Sequence, residues 1–206
     1  MGLLYVHAVT HGVLVNGPGR RTTLHLQGCT IGCPGCFSPH THEHGLLGTG
    51  RDVLSVVNEL VGPFFGAESD KPEGITISGG EPLQQPKELL QLLRYLNRLD
   101  LPRGVGMFSG TTHKQREAIP EWPEIRSLLD FAVLGPYVRG KALYPAKSLR
   151  SSENQQLVIY NENKVRLEEF QTLPTMEFRI TAGNVTVLGF PGEDDVSFGN
   201  HQARAD

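Results

Sequence analysis

The chain is poor in cysteine: it has three, and no fourth occurs anywhere in its 206 residues. An odd number cannot pair completely in disulfides, and the chain shows no export signal. Such a set indicates a reducing compartment and metal binding rather than cross-linking. All three cysteines lie within eight residues, as Cys29, Cys33 and Cys36 in the spacing C-x3-C-x2-C. The shortage therefore points to one metal centre.

Other absences exclude whole classes of protein. The formal net charge of −3 argues against a general nucleic-acid binder, which needs a basic face. No apolar run approaches the roughly 20 residues that cross a membrane. Residues 1–7 lack the basic segment and apolar stretch of a secretory signal. We therefore expect a cytoplasmic protein of one domain, residues 1–206, with neither nucleic acid nor membrane as a partner.

The periodicity of the sequence predicts an α/β fold with a mainly parallel sheet. Short apolar segments alternate with helical ones, which is the order of strands joined by crossover helices. A β-hairpin is predicted near the end, from paired strands at 176–180 and 184–188. The other predicted strands are 21–27, 74–78, 104–108, 131–134 and 156–160, and the main predicted helices are 52–61, 88–99 and 122–129.

Three loops of unusual composition follow the first three of these strands. The cysteine loop follows the first, Gly79-Gly-Glu-Pro82 the second, and Ser109-Gly-Thr-Thr112 the third. Because the carboxyl ends of parallel strands meet at one edge of a sheet, we expect these loops to lie together. This edge is the predicted site of chemistry.

Three thiolates suit a four-iron cubane with one iron left open. An open iron can bind and activate a small molecule, whereas a fully ligated cluster only transfers electrons. The alternative is a zinc site in which His40, His42 or His44 joins the three cysteines. Zinc motifs usually pair C-x2-C units, and the first gap here is three residues, so the spacing favours the cluster.

In these motifs the sequence resembles the radical SAM superfamily. It resembles in particular the glycyl-radical-enzyme activases, among them the activators of anaerobic ribonucleotide reductase. The likeness covers about residues 7–160 and implies an incomplete parallel β/α barrel, with the hairpin at about 175–190 as an extension. The segments that carry it are Asn16-Gly-Pro-Gly-Arg20, Gln27-Gly-Cys29, Cys33-Pro-Gly-Cys36, Ile77-Ser-Gly-Gly-Glu-Pro-Leu83, Phe108-Ser-Gly-Thr-Thr112, Asp130-Phe-Ala-Val-Leu-Gly-Pro-Tyr137 and Arg150-Ser-Ser-Glu-Asn-Gln155.

The resemblance implies a role for each motif residue. The cysteines hold three irons of a [4Fe-4S] cluster, and S-adenosylmethionine binds the open iron. Its amino group meets Gly79, Gly80 and Glu81. Its adenine is flanked by Gly35, Cys36 and Phe37, unless Phe37 only packs within the loop. Ser109 binds the ribose or carboxylate of the cofactor, or instead caps the next helix.

The function implied is that of an oxidoreductase. The reduced cluster cleaves S-adenosylmethionine to a 5′-deoxyadenosyl radical, which removes hydrogen from a glycine of a partner glycyl-radical enzyme. Flavodoxin or ferredoxin supplies the electron. Two other interpretations stay open: a radical SAM maturase of a peptide or small molecule, and a non-catalytic, metal-stabilised binding module. Arg20 and Arg21 are predicted to be exposed, because arginine beside a strand usually is.

Overall fold

The computed structural model describes residues 2–43, 50–67, 71–181 and 184–190. Within these ranges the chain forms eleven strands and five α-helices, which confirms the α/β class. The helices are α1 (Val53–Val61), α2 (Pro86–Leu96), α3 (His113–Glu117), α4 (Trp122–Ser127) and α5 (Leu167–Gln171). The strands are β1 (Leu3–Val13), β2 (Arg21–Leu26), β3 (Gly50–Asp52), β4 (Gly74–Gly79), β5 (Val105–Ser109), β6 (Phe131–Leu134), β7 (Ala142–Lys147), β8 (Arg150–Ser152), β9 (Gln156–Ile159), β10 (Met176–Thr181) and β11 (Asn184–Gly189).

Seven strands form one sheet in the order β3-β1-β2-β4-β5-β6-β9. The central four, β2, β4, β5 and β6, are parallel, as the crossover pattern predicts. The flanking strands β1, β3 and β9 pair antiparallel. The sheet is open, because β3 and β9 stand at its two ends and are not paired with each other.

Two features of this sheet differ from the sequence prediction. Strand β1 was not predicted. Buried Leu4 and Val6 alternate with exposed Leu3 and Tyr5, which are also apolar, so the sequence lacks the alternation of apolar and polar residues that indicates a strand. Strand β9 was predicted within the parallel series, but it runs antiparallel to β6. The reason is the connection: a β7–β8 pair stands between β6 and β9 instead of a crossover helix.

The larger hydrophobic core lies between one face of the sheet and helices α1, α2 and α4. Helix α2 begins at Pro86 and contributes five buried leucines, spaced so that one face of the helix is apolar. A smaller core covers the opposite face at the β6 end. Its members are Phe131, Val133, Leu149, Val165 and Phe170, with Phe108, Leu157, Ile159, Leu173 and Phe190 packed against them.

Arg21 is fully buried at the start of β2, so the prediction of an exposed side chain is wrong. Its guanidinium donates to Thr76 Oγ1 at 2.6 Å. It also donates to four carbonyl oxygens, at 2.7 to 3.1 Å, which belong to Pro18, Arg103, Ile75 and Gly104. Burial lowers its pKa to about 9, against the opposing charges of Asp130 and Glu73. The arginine thereby satisfies buried carbonyl groups at the amino end of the sheet, which is opposite the predicted site.

The predicted hairpin is present as β10 and β11, joined by six antiparallel residue pairs. It forms a separate two-stranded sheet. No α-helix in the described ranges has the length and apolar character needed to span a lipid bilayer.

Candidate functional site

The cysteine loop leaves the end of β2 and is held by the segment that follows it. The main-chain N–H of Gly28 donates to Thr41 O at 2.8 Å, and that of Cys29 donates to His42 O at 3.1 Å. Within the loop, Cys36 N–H donates to Cys33 O at 3.1 Å. The loop is therefore shaped largely by main-chain hydrogen bonds.

The three thiols are free and partly buried. Burial raises the pKa of Cys33 and of Cys36, although main-chain N–H groups of Tyr137 and Ser38 oppose the shift. The Ser38 N–H lies 3.4 Å from Cys36 Sγ. Thiolates are thus disfavoured here unless positive charge is placed among them, which is what bound iron supplies.

Gly79 presses against the end of β2, and Gly80 presses against Gly28 at the start of the cysteine loop. Gly79 has φ +95°, and a Cβ there would lie 2.5 Å from Leu26 N. A Cβ on Gly80 would lie 2.3 Å from the carbonyl oxygen of Gly28. Two hydrogen bonds hold the glycine turn in this position, from Gly80 N to Leu26 O at 2.7 Å and from Glu81 N to Gly28 O at 2.8 Å. Only glycine fits this contact, which joins the predicted cofactor turn to the predicted cluster loop.

The carboxyl group of Glu81 is buried and joins the second turn to the third. It accepts hydrogen bonds from Leu83 N at 2.9 Å, from Ser109 Oγ at 2.9 Å and from Gly110 N at 2.7 Å. Burial raises its pKa to about 7, although these hydrogen bonds favour the charged form. The side chain is 1% exposed. Glu81 therefore presents its main chain to the site edge, while its carboxyl group holds the two turns together.

Ser109 is buried beside Glu81 and does not cap the next helix. Its hydroxyl also lies 2.7 Å from Thr111 Oγ1. The N-cap of α3 is Thr112, whose Oγ1 accepts from the Gln115 N–H. The capping alternative for Ser109 is therefore wrong.

Phe37 lies within a group of aromatic rings next to the cysteine loop. Its ring centroid is 5.4 Å from that of Tyr137 and 6.1 Å from that of Phe190. Phe190 in turn lies 5.9 Å from Phe108. Gly35 adjoins the same group, because a Cβ there would lie 3.5 Å from the Tyr137 ring. Sequence reasoning identified Phe37 but missed Phe190, which has no motif around it.

Gln27 is a second residue whose role the sequence did not reveal. Its side-chain amide donates to Glu43 O at 2.8 Å, and its Oε1 lies 2.9 Å from His7 Nδ1. These contacts fasten the segment after the cysteines to β1. The sequence revealed the motif that contains Gln27, but not this role, because the partners of the Gln27 side chain are distant in sequence.

Two of the three histidines considered as zinc ligands lie within the described residues. The His40 ring lies 4.8 Å from the His7 ring, and His42 contributes its carbonyl to the loop. His44 lies outside the described residues. Across the part of the chain that is described, no three His, Cys, Asp or Glu side chains converge closely enough to hold one metal ion. A cubane makes a different demand, since each thiolate binds a separate iron at its own corner.

The site is thus that of an α/β protein with three thiols in a loop at the carboxyl edge of a parallel sheet and a glycine turn against that loop, an arrangement suited to an iron–sulfur cluster. The chain belongs to the family described as "4Fe-4S single cluster domain", whose family model matches residues 15–158.

Curated relatives extend this assignment. The anaerobic ribonucleoside-triphosphate reductase-activating protein of Escherichia coli K12 is 28% identical over 144 residues, which cover 69% of this chain and 90% of the relative. The protein of that name from Salmonella typhimurium is 29% identical over the same length. The pyruvate formate-lyase-activating enzyme of Listeria monocytogenes is 29% identical over 147 residues, but only 56% of that relative is covered.

Together these findings confirm the family predicted from the motifs. The chain is a radical SAM enzyme of the glycyl-radical-activase type, and its cofactors are a [4Fe-4S] cluster and S-adenosylmethionine.

Proposed function

We propose that this protein installs a glycyl radical on a partner enzyme, namely the large subunit of an anaerobic ribonucleotide reductase. One observation supports the radical chemistry more than any other: a Cβ on Gly80, in the predicted cofactor turn, would have no space against Gly28 at the start of the cysteine loop. A cluster on that loop and a cofactor on that turn would necessarily be neighbours. The relatives that the match covers almost completely, to 90% of their length, are activators of that reductase.

Each residue of the site has a role in this proposal. Cys29, Cys33 and Cys36 hold three irons. The main-chain carbonyls of Gly79, Gly80 and Glu81 accept from the amino group of S-adenosylmethionine, because an ammonium group needs acceptors. The Glu81 carboxyl group maintains this turn by its hydrogen bonds to Ser109 and Gly110.

The adenine and ribose are assigned to the other residues of the edge. Gly35, Cys36 and Phe37 flank the adenine, and the Tyr137 ring beside Phe37 limits its position. The Ser109 hydroxyl donates to the Glu81 carboxyl group. Ser109 therefore contributes to ribose or carboxylate binding indirectly, by stabilising the Gly79-Gly80-Glu81 turn.

When bound, the reduced cluster supplies one electron that splits S-adenosylmethionine into methionine and a 5′-deoxyadenosyl radical, which takes hydrogen from a glycine Cα. The protein's part is to orient the cofactor and to limit the access of water. We propose that the open sheet is the incomplete barrel of radical SAM enzymes, within one domain spanning residues 1–206. Its core is about residues 7–160, and its extension is about residues 175–190.

The electron donor in this proposal is a flavodoxin or a ferredoxin, and the compartment is the cytoplasm. Three free thiols within one short loop suit a reducing compartment.

The test is anaerobic reconstitution with iron and sulfide, followed by dithionite and S-adenosylmethionine. We expect 5′-deoxyadenosine in stoichiometric amounts, and a glycyl radical signal in electron paramagnetic resonance when the reductase large subunit is present. Folded protein with a full cluster that releases no 5′-deoxyadenosine would refute the proposal. Deoxyadenosine without a radical on the reductase would refute the assigned partner.

A further inference from the structure

The ring of Phe37, the residue after Cys36, contacts two other aromatic rings. Its centroid lies 5.4 Å from that of Tyr137 at an interplanar angle of 56°, and 6.1 Å from that of Phe190 at 85°. Tilted and edge-to-face pairs at such separations are favourable arrangements of aromatic rings. Tyr137 lies just after β6, whereas Phe190 follows β11 of the C-terminal hairpin. The orientation of the Phe37 ring is therefore set from two distant parts of the chain.

Phe190 also joins the Phe37 ring to the sheet. Its centroid lies 5.9 Å from that of Phe108, the residue before Ser109 in β5. Met107, on the other side of Phe108, lies in the larger core, so strand alternation places Phe108 on the opposite face of the sheet. Phe190 packs against the smaller core on that face. The rings of Phe37, Phe190 and Phe108 thus form a continuous row from the cysteine loop to the sheet.

The base of the hairpin fixes the place of Phe190 in this row. The Phe190 N–H donates to Thr175 O at 2.8 Å. Gly189 has φ +100°, and a Cβ there would lie 2.3 Å from the same oxygen, so only glycine allows this approach. The main chain at Phe190 is therefore held in one position by the residue that precedes β10.

The hairpin itself is fastened to β1 and the residue after it by charged side chains. Glu177 Oε2 accepts from Leu14 N at 3.0 Å, and the Arg179 guanidinium donates to His11 O at 2.7 Å. Glu177 and Arg179 also form an ion pair at 2.8 Å. These contacts hold the element that carries Phe190 against the domain.

Phe190 lies beyond the part of the chain that matches the family. The family model covers residues 15–158, which include Phe37, Phe108 and Tyr137. The C-terminal segment therefore adds one ring to a group that otherwise comes from the family region. That ring contacts Phe37, the residue assigned to flank the adenine in the proposed function.

We propose that Phe190 is a positioning residue for S-adenosylmethionine: it holds the Phe37 ring in the orientation in which that ring flanks the adenine. This inference rests on the proposed function, which places the adenine beside Phe37. A ring that is already oriented loses less conformational freedom when the cofactor binds, so the cofactor binds more tightly. Phe190 acts through Phe37, and the iron content does not depend on it.

The experiment measures binding without turnover. Radiolabelled S-adenosylmethionine is dialysed to equilibrium against the anaerobically reconstituted protein with its cluster oxidised, because cleavage needs an electron from the reduced cluster. The variants are Phe190→Ala, Phe190→Tyr, Phe37→Ala and the double variant with both alanines. Ile159→Ala is the control, because Ile159 packs against the same smaller core but pairs with Phe131 at the amino end of β6, away from the site edge.

We expect Phe190→Ala to weaken the binding of S-adenosylmethionine by about tenfold while keeping full iron content. Phe190→Tyr, which retains the ring, should bind like the wild type. Ile159→Ala should lose stability in urea unfolding, as Phe190→Ala does, but should keep wild-type binding. In steady-state assays of 5′-deoxyadenosine, Phe190→Ala should raise KM and leave kcat nearly unchanged.

The double variant tests whether Phe190 acts through Phe37. We expect it to bind as weakly as Phe37→Ala alone, because a residue that acts through a ring has no effect once that ring is removed. Losses that add in the double variant would overturn the proposal. If Phe190→Ala does not fold, Phe190→Leu replaces it, since leucine keeps much of the bulk but has no ring to present to Phe37.

Two further results would overturn the role of Phe190 while leaving the activase function intact. One is wild-type binding in the Phe190 variant that lacks the ring, and the other is an equal loss of binding in Ile159→Ala. A wild-type protein that holds its cluster but binds no S-adenosylmethionine would overturn the proposed function together with the role of Phe190.

Discussion

Ser109 Oγ donates to the Glu81 carboxylate at 2.9 Å, and so it joins the turns that follow two neighbouring parallel strands. The same carboxyl group accepts from the Gly110 N–H, and a buried polar group with such partners holds its surroundings in one arrangement. The cysteine loop is tied to the same turn through Glu81 N and Gly28 O. All three predicted loops are therefore one connected unit.

The buried carboxyl group makes stability depend on pH. The pKa of Glu81 is raised from 4.5 to about 7 by burial, so between these values the folded protein holds a proton that the unfolded chain has released. The contribution of this group is therefore greatest at low pH and falls as pH rises through about 7. In Glu81→Gln this pH dependence should be absent.

The measurement is urea unfolding of both proteins between about pH 5 and about pH 8. We expect the wild type to lose stability relative to Glu81→Gln as pH rises. A constant difference between the two across that range would show that Glu81 titrates normally.

Gly80→Ala should damage the site without a matching loss of fold. A Cβ at position 80 meets the Gly28 carbonyl oxygen at 2.3 Å, so the cysteine loop must move. We expect 5′-deoxyadenosine formation to fall by about a hundredfold, the scale on which small displacements at a reacting centre act. Gly62→Ala is the control, because nothing lies within 4 Å of a Cβ there. Wild-type activity in Gly80→Ala would contradict the close contact.

Arg21→Leu should destabilise the fold strongly, because it leaves buried carbonyl oxygens and Thr76 without donors. An orphaned buried acceptor costs roughly 1–3 kcal/mol, so a loss of about 3 kcal/mol or more is expected in urea unfolding. Arg94→Leu is the matched control, since Arg94 only forms an exposed ion pair with Glu124. Similar midpoints for the two variants would be inconsistent with a buried role for Arg21.

Cysteine and histidine variants separate a cubane from a zinc site. Cys33→Ala should lose the cluster and all cleavage of S-adenosylmethionine, because each of three thiolates is needed. His40→Ala should keep full iron content, since the His40 ring contacts His7 rather than the thiols. The check is iron and sulfide analysis with visible absorption. Iron retained in Cys33→Ala, or lost in His40→Ala, would require a different set of ligands.

Much of the site could be predicted from the sequence because its motifs are local. The cysteines, Gly79-Gly80-Glu81 and Ser109 each follow a strand, and the rule that strand ends gather at one edge places them together. The hairpin was predictable because its alternation is regular over both strands. The role of the Glu81 side chain was not, since its partners Ser109 and Gly110 lie 28 and 29 residues away.

The features that sequence reasoning missed depend on distant contacts. Arg21 is buried only because carbonyl groups from three separate segments converge on it. Phe190 reaches the cysteine loop through the folding of the C-terminal segment, which no local pattern encodes. Strand β9 runs antiparallel because of its connection through β7 and β8, and turn composition did not reveal that pair.

The most direct test of the central claim is electron–nuclear double resonance on the reduced, anaerobically prepared protein. S-adenosylmethionine is supplied with ¹⁵N in its amino group and ¹⁷O in its carboxylate. We predict strong hyperfine coupling of both labels to the cluster, as expected when the cofactor occupies an iron that has no protein ligand. Coupling to an unlabelled histidine nitrogen, with none to either label, would contradict the account.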